Sequence, residues 1–205
     1  MYRTSETRLM KKIESESEFM RKQIWKFIVA VLMFPVHLLE IIFKPSSVGR
    51  KIKSVNEYLA DFYRWMFAAK ATTWLMIIIF VSYFAIPLLA GENIARYVLH
   101  PQDIIDLNLL PMLTSLFLHG SFAHLFGNLL ALFVVGRVVE RQLGSMNTIL
   151  IFFGSAIISD ICSSLIHLYV YNSNIGGIGA SGAISGLVGA AILIDPFYFT
   201  HLIGG

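Results

Sequence analysis

The 205 residues are 56% hydrophobic and only 14% charged, whereas a soluble domain carries roughly a quarter charged residues. A soluble globular fold is therefore excluded, and the composition is that of an integral membrane protein. Thirteen of the 16 lysines and arginines fall within residues 1–70, so the +3 balance describes a basic region at a membrane surface rather than a nucleic-acid interface. A single cysteine, Cys162, excludes an internal disulfide.

Residues 1–26 mix acidic and basic side chains, as a solvated helix or loose tail does, and do not read as a cleavable signal peptide. Residues 27–43 are apolar but contain Pro35, His37 and Glu40 and have lysines at both ends. A mid-membrane glutamate is expensive and a spanning helix shows a one-sided charge bias, so an interfacial amphipathic helix is expected there. Residues 45–70 read as a polar linker and then an aromatic helix that grazes the membrane (Tyr58, Phe62, Tyr63, Trp65, Phe67). Residues 1–70 thus form a basic cytoplasmic region able to contact anionic lipid, and 71–205 form the membrane domain.

Four spanning helices are expected in that domain, over about 72–90, 113–136, 146–168 and 178–194. Residues 91–112 make a long connection with two prolines, Arg137 to Gly144 make a short charged turn, and Tyr169 to Gly176 make a charge-free loop. Positive charge before the first span and between the second and third places 1–70 in the cytoplasm and loops 91–112 and 169–177 outside. The expected fold class is an all-α polytopic bundle with a helical, interfacial amino-terminal region, in a cell membrane.

The last span carries Gly179, Gly182, Gly186 and Gly189, whose missing side chains let neighbouring helices approach closely. Ser181 and Ser185 share a face four residues apart. A packing helix whose serines bond back to their own carbonyls accounts for this stretch taken alone. The second span adds to it. On one continuous helix His124 and Asn128 project about 40° apart, while His119 lies about 140° from His124 and faces elsewhere. Polar groups within a membrane helix are functional suspects, although each taken singly is explained as well by interhelical hydrogen bonding.

The segment His119 to Asn128 (HGSFAHLFGN) and the segment Gly179-Ala180-Ser181-Gly182 resemble the HxxxxHxxxN and GxSG patterns of the rhomboid family of intramembrane serine proteases. Glu140 and Gly144 match a third pattern, ExxxG, and the resemblance spans about residues 72 to 194. It implies that Ser181 is the nucleophile and that His124, Asn128 and the Ser181 N–H stabilise the oxyanion. It further implies that His119, Glu140, Gly144, Gly179 and Gly182 are structural, and that transmembrane segments of other proteins are cut near the outer leaflet without a cofactor. Loop 91–112 would match the membrane-embedded first loop of the family.

Three features depart from the family pattern. The general base is a histidine on the family's sixth membrane helix, whereas four spans are read here. His201 lies twenty residues beyond Ser181, roughly 30 Å along a continuous helix, so the chain is read as ending before the fifth and sixth helices, with the base beyond residue 205. Leu110-Pro111 stands where many relatives have Trp-Arg, and Ser185 stands where many have an aromatic residue. The alternative is a rhomboid-like pseudoprotease that binds transmembrane helices without cutting them. A channel would need more polar lining than Asp160, for which a structural hydrogen bond is expected. His100 and His167 fall in the solvated outer zone, no metal-ligand set is read, and no phosphate loop occurs.

Overall fold

The computed structural model describes residues 67–197 continuously, together with isolated positions between 18 and 65. The chain divides into two compact units, Ala69–Ile194 and a second formed by Met1–Ala68 with Asp195–Gly205. In the second unit Glu18 and Lys22 pair at 2.7 Å one helical turn apart, and the Asp195 carboxylate accepts the Phe197 N–H. The interfacial segment expected over 27–43 lies almost wholly outside the described residues, as does His201.

The first unit contains six helices, which we name α1 (Lys70–Ala90), α2 (Pro101–Ile105), α3 (Leu109–Thr114), α4 (Phe122–Leu143), α5 (Ser145–Tyr169) and α6 (Ser181–Ile194). Three of them, α1, α4 and α5, are long and apolar enough to cross a membrane. Their outward side chains, such as Ile77, Phe80 and Phe84 on α1 and Leu150, Ile158 and Leu165 on α5, are exposed and apolar, as hydrocarbon contact requires. Helix α6 has 14 residues, about 21 Å at helical rise. The molecule is thus a polytopic helical membrane bundle.

The connection from 91 to 121 is more structured than the expected loop. A 3-10 turn, Gly91–Tyr97, leads to α2, α3 and a second 3-10 turn, Ser115–Phe117. The helix expected over 113–136 is interrupted here, because Leu118 is extended and Ser121 caps α4 by accepting the His124 N–H at 3.1 Å. At its other end α4 runs through Arg137 and Arg141 to Leu143, and only Gly144, at φ +85°, separates it from α5. The charged residues read as a turn belong to the last two turns of α4 instead.

Two contacts lock the bundle. Glu140 reaches from α4 to the start of α1, where its carboxylate accepts the Ala71 and Thr72 N–H groups and the Thr72 hydroxyl, each at 2.8 Å. A fourth bond comes from the Ser145 hydroxyl at 2.6 Å. Since α1 has no cap from its own flanking residue, Glu140 satisfies donors that would otherwise be orphaned at a positively polarised helix end. The approach that makes this reach short depends on Gly136, where an added Cβ would stand 2.9 Å from Thr72.

The second contact joins α5 to α6. An added Cβ on Gly182 would overlap the Ser159 side chain, and one on Gly186 would overlap that of Ser155. Pairs of small residues four apart on each helix thus face each other, which brings the two backbones together as small residues do in membranes. Gly189 has no such neighbour within 4 Å among the described residues, so the close-packed stripe is shorter than the glycine pattern suggests.

Candidate functional site around Ser181

Helix α6 begins at Ser181, three residues later than the sequence pattern implies. The residues before it form a strap. Gly177 donates to the Leu99 carbonyl at 2.7 Å in an isolated antiparallel bridge, and Gly179 donates to the Ser115 carbonyl at 2.8 Å. Gly179 adopts φ +108°, a conformation in which L side chains are strained. That turn ends the extended strap and starts the helix at Ser181.

Gly179 also lies directly against the polar residues of α4. A Cβ there would stand 2.7 Å from both Cε1 and Nε2 of His124 and 3.5 Å from Nδ2 of Asn128. The missing side chain thus lets the imidazole and the carboxamide reach the backbone two residues ahead of Ser181. The first N–H groups of α6 have no intrahelical acceptor and lie at the positive end of the helix dipole. Ser181 is exposed, and its hydroxyl forms no hydrogen bond among the described residues. The Ser185 hydroxyl does bond back along the helix, to the Ser181 carbonyl at 2.8 Å.

His119 departs from expectation. It stands before α4 rather than on it, so the angular argument from one continuous helix fails. The break at Leu118 to Ser121 turns the ring back over the first turn of α4. There Nε2 lies 2.9 Å from Asn128 Nδ2 and the ring packs edge-on against His124, with centroids 4.9 Å apart. Burial first, and the neighbouring His124 second, hold the His119 pKa below the ordinary histidine range, with a partial offset from the Phe117 carbonyl. A neutral His119 with a bare Nε2 accepts one N–H of Asn128, leaving the second N–H of that amide unclaimed by this contact. His119 and Asn128 are both buried.

Asp160 and His167, on α5, are not part of this cluster. They line a cavity of about 90 Å³ together with Ile175, Gly176 and Gly177 of the strap. The structural hydrogen bond expected for Asp160 is not formed among the described residues. His167 is not fully solvated either, for its Nδ1 is buried without a partner among them. The enclosure of these two groups was missed because it depends on where the 175–177 strap crosses α5, which no helical period encodes.

The apolar helices and the serine at a helix start beside a buried His–Asn pair describe a polytopic membrane protein with a polar cluster built inside its bundle. Residues 107–204 match the family model described as Rhomboid domain. Similar curated proteins include the putative rhomboid protease YdcA of Bacillus subtilis, 34% identical over 42% of this chain, and the rhomboid protease GluP of the same organism, 40% identical over 40%. Inactive RHOMBOID-like protein 8 of Arabidopsis thaliana is 36% identical over 40% of the chain. These matches cover 41%, 15% and 22% of the relatives' own lengths, respectively. Over residues 107–204 the chain is thus similar to the rhomboid family.

Proposed function

We propose that this protein is an intramembrane serine endopeptidase that cuts transmembrane segments of other membrane proteins. In this reading the Ser181 oxygen attacks a peptide carbonyl carbon, its proton passing to a general base outside the described residues. The amine-side product then leaves with a proton, and water hydrolyses the acyl-enzyme. Negative charge on the carbonyl oxygen is met by His124, by the free N–H of Asn128 and by the Ser181 N–H. Preset donors in a low-dielectric site stabilise such charge strongly, and losing one costs about 2.7–4 kcal/mol of barrier.

The observation that carries this reading is the contact of His124 and Asn128 with the Gly179 backbone, two residues before an unbonded serine hydroxyl. Packing alone requires neither two polar groups at that point nor a residue held at φ +108°. His119 serves by orienting Asn128, Gly182 by admitting α5, and Glu140 and Gly144 by fixing the far ends of α1 and α4. Residues 1–70 lie on the cytoplasmic side against anionic lipid, while the site opens near the outer leaflet of the cell membrane.

The test is cleavage of a single-span substrate in proteoliposomes by the wild type and by Ser181→Ala, with labelling by a fluorophosphonate as a second readout. Cleavage and labelling that both disappear in Ser181→Ala are expected; equal cleavage by the two proteins removes Ser181 from the mechanism. The second reading, a pseudoprotease that binds membrane helices without cutting, is favoured by the similarity to an inactive relative. It predicts substrate capture by the wild type with neither labelling nor cleavage.

A further inference from the structure

The cavity beside the strap is lined by none of Ser181, His124, Asn128 and His119. Asp160, Ser163, Ser164 and His167 line it from α5, and Leu99 and Gly177, the two residues of the isolated bridge, line it from outside α5. Its depth is set by the α5–α6 contact. Ser159 meets Gly182, so Asp160 and Ser181 each lie one residue from the same point of contact, on opposite helices. The cavity therefore stands at the level of the serine, with Ile175, Gly176 and Gly177 of the strap in its wall.

What lines the cavity is one-sided in its chemistry. Asp160 brings a carboxylate that no donor satisfies among the described residues. Ser164, only 4% exposed, brings a hydroxyl with no hydrogen-bond partner among the described residues, Ser163 brings another, and His167 offers a buried Nδ1 without a partner among them. No lysine or arginine among the described residues lines the space. A carboxylate within a membrane helix is costly unless a cation meets it. A primary ammonium has three donors and no acceptor, which suits a carboxylate and two hydroxyls. At about 30 Å³ per water-sized group, a volume of about 90 Å³ takes an ammonium head and the end of its aliphatic stem.

We propose that this cavity is a recognition pocket for a lysine side chain of the segment presented to Ser181, with Asp160 as the residue that selects it. The proposal rests on the endopeptidase reading for its occupant. Selection follows from charge: a neutral side chain of similar length leaves Asp160 unpaired, whereas lysine removes that penalty.

The experiment uses the full-length protein in phosphatidylcholine vesicles, whose quaternary headgroup has no N–H donor. Single-span substrates carry Lys, Met or Gln at each of the four positions on either side of the cleaved bond. One position is expected at which Lys raises kcat/KM at least tenfold over Met. In Asp160→Asn, a near-isosteric change, that ratio should fall to within about twofold of unity, and in Ser164→Ala it should fall severalfold. Binding of the Lys and Met peptides to Ser181→Ala, read by fluorescence anisotropy, reports the same preference without catalysis. If no substrate is cut but Ser181→Ala prefers the Lys peptide through Asp160, the endopeptidase reading fails and the pocket stands. A wild type with no Lys preference at any position, or a preference that survives in Asp160→Asn with an unchanged melting temperature, overturns the pocket.

Discussion

Replacing Gly186 with alanine isolates the α5–α6 contact from the chemistry, because residue 186 faces Ser155 and touches none of the site residues. Two effects oppose each other. Alanine in a helix interior is favoured over glycine by about 1 kcal/mol, whereas overfilling a packed contact costs about 1–3 kcal/mol. The second wins here, since the added methyl overlaps not only the Ser155 hydroxyl but also its Cβ, and a Cβ cannot escape by changing rotamer. The next contact, the Ile151 carbonyl at 3.7 Å, is ordinary, so the strain is confined to one residue. A net loss of about 1–2 kcal/mol is expected, measured by unfolding of the full-length protein in mixed micelles. Gly189→Ala supplies the control: nothing lies within 4 Å of its added Cβ, so it should be neutral or stabilising by up to about 1 kcal/mol. Ser155→Gly combined with Gly186→Ala should recover most of the loss. Equal stability of Gly186→Ala and Gly189→Ala would refute the close approach of α5 and α6.

Three other outcomes are expected. Glu140→Gln keeps the shape but removes the charge and one acceptor from a carboxylate that receives four bonds, and should cost about 2–4 kcal/mol in the same unfolding assay. Gly179→Ala meets both a strained φ, worth about 1–3 kcal/mol, and the His124 ring; cleavage should fall at least ~100-fold, well beyond what its melting temperature explains. His119 has its folded pKa held below the unfolded value, so between the two the unfolded chain binds more protons and stability rises with pH. The stabilisation is complete above the ordinary histidine range and is lost as pH falls through it, and a thermal-melt series from pH 7.5 to 5 should show a loss that His119→Gln diminishes.

The spans were legible because hydrocarbon imposes a simple rule of apolar length, and α1 and α5 follow it to within a residue or two. His124 and Asn128 also stood out, since polar side chains are rare in this composition, and both lie against the Gly179 backbone. The joints were not legible. A helical period continued through His119 and put its ring on the wrong face, because Leu118 leaves the helix and Ser121 restarts it; the signal available was the serine three residues before His124, a capping position. The serine helix was started too early for a similar reason, since Gly177 to Gly179 are held by partners at Leu99 and Ser115 that lie more than sixty residues away in sequence. The occupant of Gly186's empty flank, Ser155, was equally beyond any local pattern.

These misreadings share a physical cause, and it bears on how the site is held. Each polar group near Ser181 is oriented by a backbone event rather than by a long side-chain network. Ser121 sets the pitch at which His124 leaves α4, the Leu118 break brings His119 onto Asn128, and the φ of Gly179 determines where α6 begins. In a bundle whose interior offers little hydration, fixing donors through main-chain geometry limits the number of polar side chains that must be buried and satisfied. Asp160 is the exception among the described residues, a carboxylate at the depth of the serine that the bundle leaves unsatisfied. A group of that cost, retained against a cavity rather than against a donor, is why the proposed partner is sought in the bound segment and not within the chain itself.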